Sequence, residues 1–236
     1  MKTLIAIPCM DMVHTIFMKS LIGLTRVGEV RYSISCSSLV YDSRNNLAKQ
    51  AVQEGFDRIL WFDSDMEFNP DFMKILAADM DEGRDMVSGL YFKRRAPVGP
   101  IVYKKIGYYH SEEEKTVTPL AVPYDDYPRD SIFECEGVGF GGVMVSVDLV
   151  KKVADKYGLP FSPILGFGED LSFCMRVKEL GVPIYCDSRA KMGHVGLGTI
   201  TEDIYISQTG GSNGNRQRSP DEGQDIAQDI VVDGVR

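Results

Sequence analysis

The sequence predicts an α/β fold in which helices cover both faces of a mostly parallel sheet. From residue 3 to residue 92, short runs typical of buried strands alternate with amphipathic runs typical of helices. Glycine, proline and helix-capping residues separate these runs. A chain of 236 residues is also long enough for one domain with a sizeable buried core.

The individual elements follow from the local pattern. Four strands are predicted in this part of the chain, namely Thr3–Ile7, Glu29–Cys36, Arg58–Phe62 and Asp85–Phe92. Three helices are predicted between them, namely His14–Leu24, Asp42–Glu54 and a helix that begins at Asn69. Asp42 or Ser43 is the expected N-cap of the second helix, and Gly55 is the residue expected just past its end. Asn69 is the expected N-cap of the third helix, with Pro70 at its first position.

The pattern changes after residue 96. Residues 97–131 combine proline, glycine, charges and five tyrosines in short alternating stretches, which predict hairpins or an excursion from the main sheet. Beyond them we expect a strand region interrupted by glycines, two helices and a last strand, namely Ile132–Val147, Asp148–Tyr157, Leu171–Leu180 and Val182–Cys186. We expect a single domain over residues 1–206. Residues 207–236 are polar and glycine-rich and predict a flexible tail.

The composition argues against several classes of protein. A formal net charge of −8 argues against broad electrostatic binding to nucleic acids or anionic membranes, although it leaves room for a local basic patch. No apolar run reaches the roughly 18 residues of a membrane span, so a cytoplasmic protein is expected. Five cysteines without close pairs or CxxC spacing argue against a disulfide framework or a zinc site, and predict small buried residues. They are Cys9, Cys36, Cys135, Cys174 and Cys186.

Asp63-Ser64-Asp65 is the strongest candidate for chemistry. It follows the buried strand Arg58–Phe62, and ligands bind at the carboxyl ends of strands in open α/β sheets. If the extended geometry continues, the two carboxylates project to one face about 6.6 Å apart. Such a pair repels unless a cation lies nearby, and Mg²⁺ or Mn²⁺ with diphosphate oxygens would fit. A solvated acidic turn is the alternative.

Two further segments carry candidate residues. Glu169 and Asp170 fall in the first turn of a predicted helix after two glycines, where an ionised carboxylate is stabilised. Such a carboxylate can accept a proton from an attacking hydroxyl, and helix capping alone is the alternative. His194 lies in a glycine-rich stretch after the last predicted strand. It could ligate Mn²⁺, or it could be a packed or exposed histidine.

Basic and glycine-rich segments complete the set of candidates. Arg44 and Lys93–Arg95 could face phosphates, because arginine offers a bidentate fork, or they could be surface charges. Gly137–Gly142 is not a dinucleotide-binding fingerprint, since it does not open a helix after the first strand. It would permit close approach of a sugar, or it forms a bulge.

Taken in order, these segments resemble those of the GT-A glycosyltransferases, particularly the family 2-like enzymes often found in bacteria and phages. The matching stretches are IAIP, SRNNLAKQA, ILWFDSDMEFNPD, GVGFGGVMVSVDLV, GFGEDLSFCMRVKELG and KMGHVG. The succession of FGGV, GED and Met-x-His is also similar to β-1,4-galactosyltransferases. The resemblance covers roughly residues 1–200 and rests on the order of motifs that are individually loose.

The resemblance implies a metal-dependent, hexosyltransferase-like enzyme that uses a nucleotide-diphosphate sugar, UDP being the commonest donor nucleotide in this group. It implies that Asp65 and His194 hold Mn²⁺ or Mg²⁺, and that Asp63 holds a metal-bound water or the ribose. Asp170 would be the general base for the acceptor hydroxyl, and Glu169 would position the sugar or the acceptor. Direct in-line attack would then invert the anomeric centre.

The resemblance also implies a set of residues that bind the donor. Its members contact the nucleoside, the phosphates or the donor sugar, and they are Pro8, Cys9, Met10, Arg44, Asp63, Ser64, Gly141 and Gly142. Of these, the first three line the nucleoside pocket largely through their backbone, Arg44 lies near the phosphates, and the two glycines border the sugar.

The chain departs from the family pattern at the end of the second strand. Family members usually carry an acidic residue there that contacts the base, whereas this sequence reads SISCSSLVYDSRN, with Asp42 as the nearest acid. The sequence therefore does not determine which base the donor nucleotide carries.

The acceptor is open as well, and it could be a glycan, a protein, a small molecule or modified bases in DNA. For DNA the expected phosphate contacts are Lys93, Arg94, Arg95, Lys104 and Lys105. A non-catalytic nucleotide-sugar-binding module is one rival interpretation. A nucleotidyl- or sugar-phosphate enzyme is another, although those usually carry a basic glycine-rich loop where this chain reads PCMDMVH.

Overall fold

The computed structural model describes residues 1–111, 115–196 and 199–209. Over these residues the chain forms twelve strands and six helices. The strands are β1 Lys2–Cys9, β2 Glu29–Cys36, β3 Arg58–Phe62, β4 Met66–Phe68, β5 Met86–Leu90, β6 Val102–Ser111, β7 Thr116–Pro123, β8 Ile132–Cys135, β9 Gly137–Val138, β10 Gly142–Ser146, β11 Ile184–Val195 and β12 Thr199–Ile200. The helices are α1 Thr15–Gly23, α2 Val40–Gln53, α3 Phe72–Asp81, α4 Val147–Tyr157, α5 Glu169–Glu179 and α6 Glu202–Thr209.

The central sheet has the strand order β12-β11-β5-β10-β3-β1-β2, and β4 and β8 also pair with β11. β1 pairs in parallel with β2 and with β3, and β11 pairs in parallel with β5. β10 is antiparallel to both of its neighbours, β3 and β5. The chain therefore has a mixed α/β fold with a large, mostly parallel central sheet, as the sequence predicts.

Helices cover both faces of this sheet. Leu4 and Trp61 point to the face on which α2, α4 and α5 pack, whereas Ile5 and Phe62 point to the face on which α1 and α3 pack. Successive side chains of a strand alternate between the two faces, and here both faces are buried. This explains why β1 and β3 contain nearly continuous apolar runs.

The hairpins expected in residues 97–131 are confirmed. β6 and β7 pair antiparallel, and β6 also pairs with β9 to complete a separate three-stranded sheet. The strand region expected at Ile132–Val147 consists of three short strands, and each has different partners. β8 pairs with β11, β9 with β6, and β10 lies between β3 and β5.

The predicted start of α2 is wrong. The helix begins at Val40 with Leu39 in the N-cap position, so neither Asp42 nor Ser43 caps it. The reason is local, since the Leu39 carbonyl already accepts hydrogen bonds from the amides of those two residues, at 3.0 and 3.4 Å. The prediction for the other end is confirmed, because Gly55 follows the helix with a positive φ of 65°.

The predicted start of α3 is also wrong. The helix begins at Phe72, and Asp71 occupies the N-cap position. Asn69 accepts a hydrogen bond through its carbonyl from the Phe72 amide at 3.1 Å, and the Pro70 carbonyl accepts one from Thr25 at 2.8 Å. Both residues thus belong to the turn between β4 and the helix.

The last predicted strand, Val182–Cys186, is too short. β11 begins at Ile184 and continues to Val195, so His194 lies within it, and β12 follows it. Polar residues in the middle of β11 mask it in the sequence. Arg189 and Asp187 form an ion pair there, with Nη2 and Oδ2 2.6 Å apart. The buried carboxylate of Asp187 therefore has a cationic partner within the strand.

The cysteines differ from their prediction in one respect. Cys135, Cys174 and Cys186 are buried as predicted, but Cys36 is exposed and Cys9 is only half-buried. Although no two cysteines are close in the sequence, two of them are close in the fold. Cys9 and Cys36 are register partners in β1 and β2, and their Sγ atoms are 3.4 Å apart.

Helix α6 ends at Thr209 and so crosses the predicted boundary between residues 206 and 207. The remainder of the predicted tail, residues 210–236, lies outside the described residues. Among the helices of the described residues, none is long and apolar enough to cross a membrane.

Candidate functional site

A cleft of about 580 Å³ lies at the carboxyl ends of β1, β2 and β3. Eleven candidate residues from the sequence line it, namely Pro8, Cys9, Met10, Arg44, Asp63, Ser64, Asp65, Arg94, Glu169, Asp170 and His194. A second cavity of about 590 Å³ lies beside α1, β4 and α6 and contains none of them. A concave site with convergent titratable groups is the better candidate, so the first cleft is the candidate functional site.

Asp63 and Asp65 do not form the extended pair that the sequence predicts. β3 ends at Phe62, and the chain turns through Ser64 into β4. The two carboxylates consequently have different cationic partners. Asp63 Oδ1 accepts a hydrogen bond from Arg44, and Asp65 Oδ2 pairs with Arg94 and with His194.

Arg44 connects three elements from a buried position. Its side chain is only 2% exposed, and it donates from Nη2 to Asp63 at 2.7 Å and from Nε to Glu169 at 3.1 Å. Its guanidinium also lies 5.6 Å from the ring centroid of Trp61 and 5.2 Å from that of Phe140. Burial alone would lower its pKa, but the two carboxylates outweigh burial and raise the pKa, so Arg44 stays charged. Arg44 is therefore a buried cation that holds the carboxylates of Asp63 and Glu169 in place.

His194 reaches the cleft from β11. Its Nδ1 lies 2.9 Å from the carbonyl oxygen of Phe92, and its Nε2 lies 3.5 Å from Asp65 Oδ2. A carbonyl oxygen only accepts, so Nδ1 carries the hydrogen and Nε2 of the neutral ring has a free lone pair. Two acceptors, Nε2 and a carboxylate oxygen, therefore face each other, and a cation shared by both would stabilise them.

The charge on Asp65 favours a cation there. Burial would raise the pKa of Asp65, but the hydrogen bond and the charge of a protonated His194, followed by the charge of Arg94, outweigh burial and lower it, so the carboxylate is ionised. When the His194 ring is neutral, Arg94 remains as the cation beside Asp65. Arg94 extends from the loop after β5, with 44% of its side chain exposed, and supplies one cation itself. This pairing also shows that Arg94 is the member of the basic segment Lys93–Arg95 that lines the cleft.

These residues fit a divalent ion as two protein ligands. Within the described parts of the chain, no group of three or more His, Cys, Asp or Glu residues is arranged to hold a metal. Asp63, which the resemblance also places at the metal, is engaged by Arg44. Mg²⁺ commonly binds through one or two carboxylates while substrate phosphates and water complete its shell, and Asp65 offers such a carboxylate with the His194 ring beside it.

Glu169 and Asp170 begin α5 at the other side of the cleft, as predicted. Asp170 Oδ1 accepts a hydrogen bond from the Leu171 amide at 2.7 Å. Burial, followed by the charge of Glu169, raises the pKa of Asp170 to about 6. At neutral pH Asp170 is thus an ionised carboxylate that is more basic than an ordinary aspartate, which suits a proton acceptor.

The nucleoside end expected from the sequence contains more than Pro8, Cys9 and Met10. Ser37, Ser38 and Val40 line the same part of the cleft, while Tyr91, Ile101 and Tyr103 line it near Asp170. The serines carry no functional signal in the sequence, because a Ser-Ser pair after a strand is typical of a turn. Nothing in the sequence separates Tyr103 from the other tyrosines of residues 103–127, whereas the structure brings Tyr103 into the cleft.

Gly141 and Gly142 lie beneath the cleft, where the Gly141 carbonyl accepts a hydrogen bond from the Asp63 amide at 3.3 Å. Their predicted place beside the donor sugar stays a prediction. Both are buried, and neither lines the cavity. A Cβ on Gly141 would lie 2.8 Å from the ring of Tyr91, and one on Gly142 would lie 2.3 Å from the sulfur of Met192. The glycines are needed for packing beneath the site.

No protein-family model matches the chain, and no curated protein matches its sequence. Among solved structures the chain is similar to A197 from STIV. The TM-score is 0.63 and the identity 22%, with 86% of this chain and 92% of that chain covered. This likeness shows the fold, a mixed α/β architecture with a large central sheet, and nothing of the activity.

Proposed function

We propose that the chain is a GT-A glycosyltransferase that moves a sugar from a nucleotide-diphosphate sugar to an acceptor hydroxyl, with Mn²⁺ or Mg²⁺ as cofactor. One observation carries the proposal. Asp65, His194 and Asp170 come from three separate segments of the chain and line a single cleft. The first two can hold a divalent cation and the third suits a proton acceptor, and metal-dependent sugar transfer to a hydroxyl uses this combination.

The dimensions and lining of the cleft support a nucleotide-sugar donor. Its volume of about 580 Å³ is in the usual range for ligand sites. At one end the backbone of Pro8, Cys9 and Met10 and the hydroxyls of Ser37 and Ser38 offer hydrogen bonds to a nucleoside. We favour UDP, and serine hydroxyls can both donate to and accept from the edge of a uracil, which suits a pocket without an acidic partner for the base.

The middle of the cleft would hold the diphosphate. Asp65 and His194 would hold the cation, which when bound neutralises negative charge on the diphosphate leaving group. Arg94 lies at the same carboxylate, and its half-exposed side chain is free to contact a phosphate oxygen as a fork. Arg44 keeps Asp63 and Glu169 in place from below.

The far end of the cleft would hold the acceptor. Asp170 would take the proton from the attacking hydroxyl, and its raised pKa makes it a better base than an ordinary aspartate. Glu169 is bound to Arg44, so it helps to orient the start of α5 and the base beside it. A direct attack assisted by one base inverts the anomeric centre, and a product with retained configuration would contradict this part of the proposal.

The test is nucleotide release from a panel of nucleotide sugars, including UDP-sugars, with Mn²⁺ or with a chelator. We expect release by the wild type with Mn²⁺, and a loss of about 100-fold or more with the chelator and in Asp65→Asn. Asp155→Asn, an exposed aspartate on α4 outside the cleft, is the matched control and should retain full release. Metal-independent release that Asp65→Asn leaves unchanged would rule the proposal out.

The same panel separates the rival functions. Nucleotide-sugar binding without release under any condition indicates a binding module. Release of pyrophosphate from a nucleoside triphosphate and a sugar phosphate indicates a nucleotidyl transferase. Release that appears only with modified DNA, and that weakens steeply with salt, indicates a DNA acceptor contacted by cationic side chains.

A further inference from the structure

Cys9 and Cys36 end two neighbouring strands at the wall of the cleft. β1 and β2 are parallel, and the two cysteines are register partners at their carboxyl ends. Neighbouring strands lie about 4.8 Å apart, which is inside the ~4.4–6.8 Å range of Cα separations in disulfides. The Sγ atoms are already 3.4 Å apart, so a bond between them needs only a small rotation of the side chains.

Small oxidants can reach this pair and not the other thiols. Cys36 is exposed and Cys9 is half-buried, whereas Cys135, Cys174 and Cys186 are all buried. All five cysteines belong to the described residues, so the contrast covers every thiol of the chain. Exposed disulfides are the labile ones that exchange with small thiols, which makes such a bond reversible.

We propose that Cys9 and Cys36 are a redox modification site, forming a reversible disulfide that joins the ends of β1 and β2 at the wall of the cleft. A small disulfide such as glutathione disulfide is the oxidant. The Cys36 thiolate attacks one sulfur of that molecule, forms a mixed disulfide and releases one thiolate. Cys9 then loses its proton to solvent, attacks Cys36 and expels the second thiolate. Two protein thiols are oxidised, and one small disulfide is reduced to two thiols.

The position of Cys9 makes it the resolving thiol. It is the more buried of the two, and burial followed by its hydrogen bond with Cys36 raises the pKa of Cys9 to about 11. The nearby charge of Asp11 acts in the same direction. Cys9 is therefore a thiol at neutral pH, and the second step depends on its contact with Cys36 and accelerates as the pH rises.

The bond would alter the wall of the cleft directly. Cys9 lines the cavity, and its carbonyl oxygen accepts a hydrogen bond from the Ser37 amide at 3.1 Å. A disulfide would tie together the segments that carry Pro8 and Met10 on one side and Ser37 on the other. An effect on donor binding rests on the proposed function, but formation of the disulfide does not.

The experiment is thiol counting by mass spectrometry on the full chain, after reduction and then incubation with glutathione disulfide. We expect the native wild type to lose two of its five free thiols without a glutathione adduct, and dithiothreitol to restore them. A peptide map should join the peptides that contain Cys9 and Cys36. The three buried thiols should react only after unfolding.

Single variants serve as controls. Cys9→Ser should trap glutathione on Cys36 as a stable adduct, because the resolving thiol is absent. Cys36→Ser should lose thiols much more slowly than the wild type, because the attacking thiol is absent. A wild type that keeps all its thiols, or that keeps a lasting glutathione adduct on Cys36, would overturn the proposal. None of these readouts uses a sugar donor, so the outcome is independent of whether the chain transfers glycosyl groups.

Discussion

Arg94 pairs its guanidinium with the carboxylate of Asp65, so a side chain of the chain itself already neutralises the acid that would bind a divalent ion. An incoming ion and Arg94 therefore compete for Asp65. His194, on the other side of Asp65, competes with the ion only when its ring is protonated.

Arg94→Gln should tighten Mn²⁺ binding, because the ion no longer has to displace a guanidinium. An ion pair with one half-exposed partner is worth up to about 1 kcal/mol, which corresponds to roughly a fivefold lower dissociation constant. Isothermal titration with Mn²⁺ in the absence of nucleotide measures it. Arg95→Gln is the control, since Arg95 is exposed and does not line the cleft. Equal or weaker Mn²⁺ binding in Arg94→Gln would show that Arg94 does not compete with the ion for Asp65.

Arg44→Met should destabilise the fold. The substitution keeps the bulk of the side chain near Trp61 but leaves Asp63 and Glu169 without their cation. Removing one partner of a buried ion pair costs about 3–5 kcal/mol, and we expect about 3 kcal/mol because Asp63 retains access to water. Urea unfolding measures the free energy of unfolding.

The matched control for Arg44 is Arg31→Met. Arg31 is 58% exposed and contacts Glu54 at 3.4 Å on the surface, so its loss should change the free energy of unfolding by less than about 1 kcal/mol. Similar losses in the two variants would show that Arg44 is not the cation that organises the cleft.

Asp170 should set the acidic limb of the pH–rate profile. Its pKa is raised to about 6, so the carboxylate is protonated and unable to accept a proton below that pH. The rate of nucleotide release should therefore fall as the pH drops through about 6. Asp170→Asn should lower the rate by about 100-fold or more and remove this limb, whereas Asp155→Asn should leave both unchanged. A limb that persists in Asp170→Asn would assign the titration to another group.

Asp79 and Asp187 should make stability depend on pH far from the cleft. Burial, followed by a hydrogen bond with Asp187, raises the pKa of Asp79 to about 7, while Arg189 opposes the shift. A carboxyl that holds its proton more tightly when folded stabilises the fold at low pH. That contribution shrinks as the pH rises from the unfolded value of about 4 to about 7.

Asp79→Asn removes this titration. We therefore expect the free energy of unfolding of the variant, measured with urea, to be higher relative to that of the wild type at pH 8 than at pH 5. Asp155→Asn should show the same difference from wild type at both pH values. An Asp79→Asn effect independent of pH would show that Asp79 does not hold its proton more tightly in the folded chain.

The sequence predicts those parts of the fold that local pattern determines. The ends of β2 and β3 match their predictions, because a strand bounded by turn residues needs no distant partner to be visible. β11 is longer than predicted because Asp187 and Arg189 satisfy each other inside the sheet, which single-sequence polarity does not reveal. The start of α2 depends on a backbone carbonyl, that of Leu39, which has no side-chain signature.

The site shows the same division. Asp65, His194 and Asp170 were selected from chemistry and order along the chain, and they share one cleft because they lie at strand and helix ends. Their roles in transfer stay predictions. Arg94 at Asp65 and the pairing of Cys9 with Cys36 depend on loop geometry and strand register, and the sequence alone contains neither.

The pairing of β11 with β5 is irregular, and this makes the spacing of residues before His194 important. The register between β11 and β5 shifts between Asp187 and Lys191, upstream of His194. Since alternate residues of a strand point to opposite faces, one inserted or deleted residue in this stretch would turn the imidazole away from Asp65. The cleft is thus vulnerable to a change of spacing in β11 as well as to replacement of His194, and the approach of His194 to Asp65 can be lost without substitution of any residue that lines the cleft.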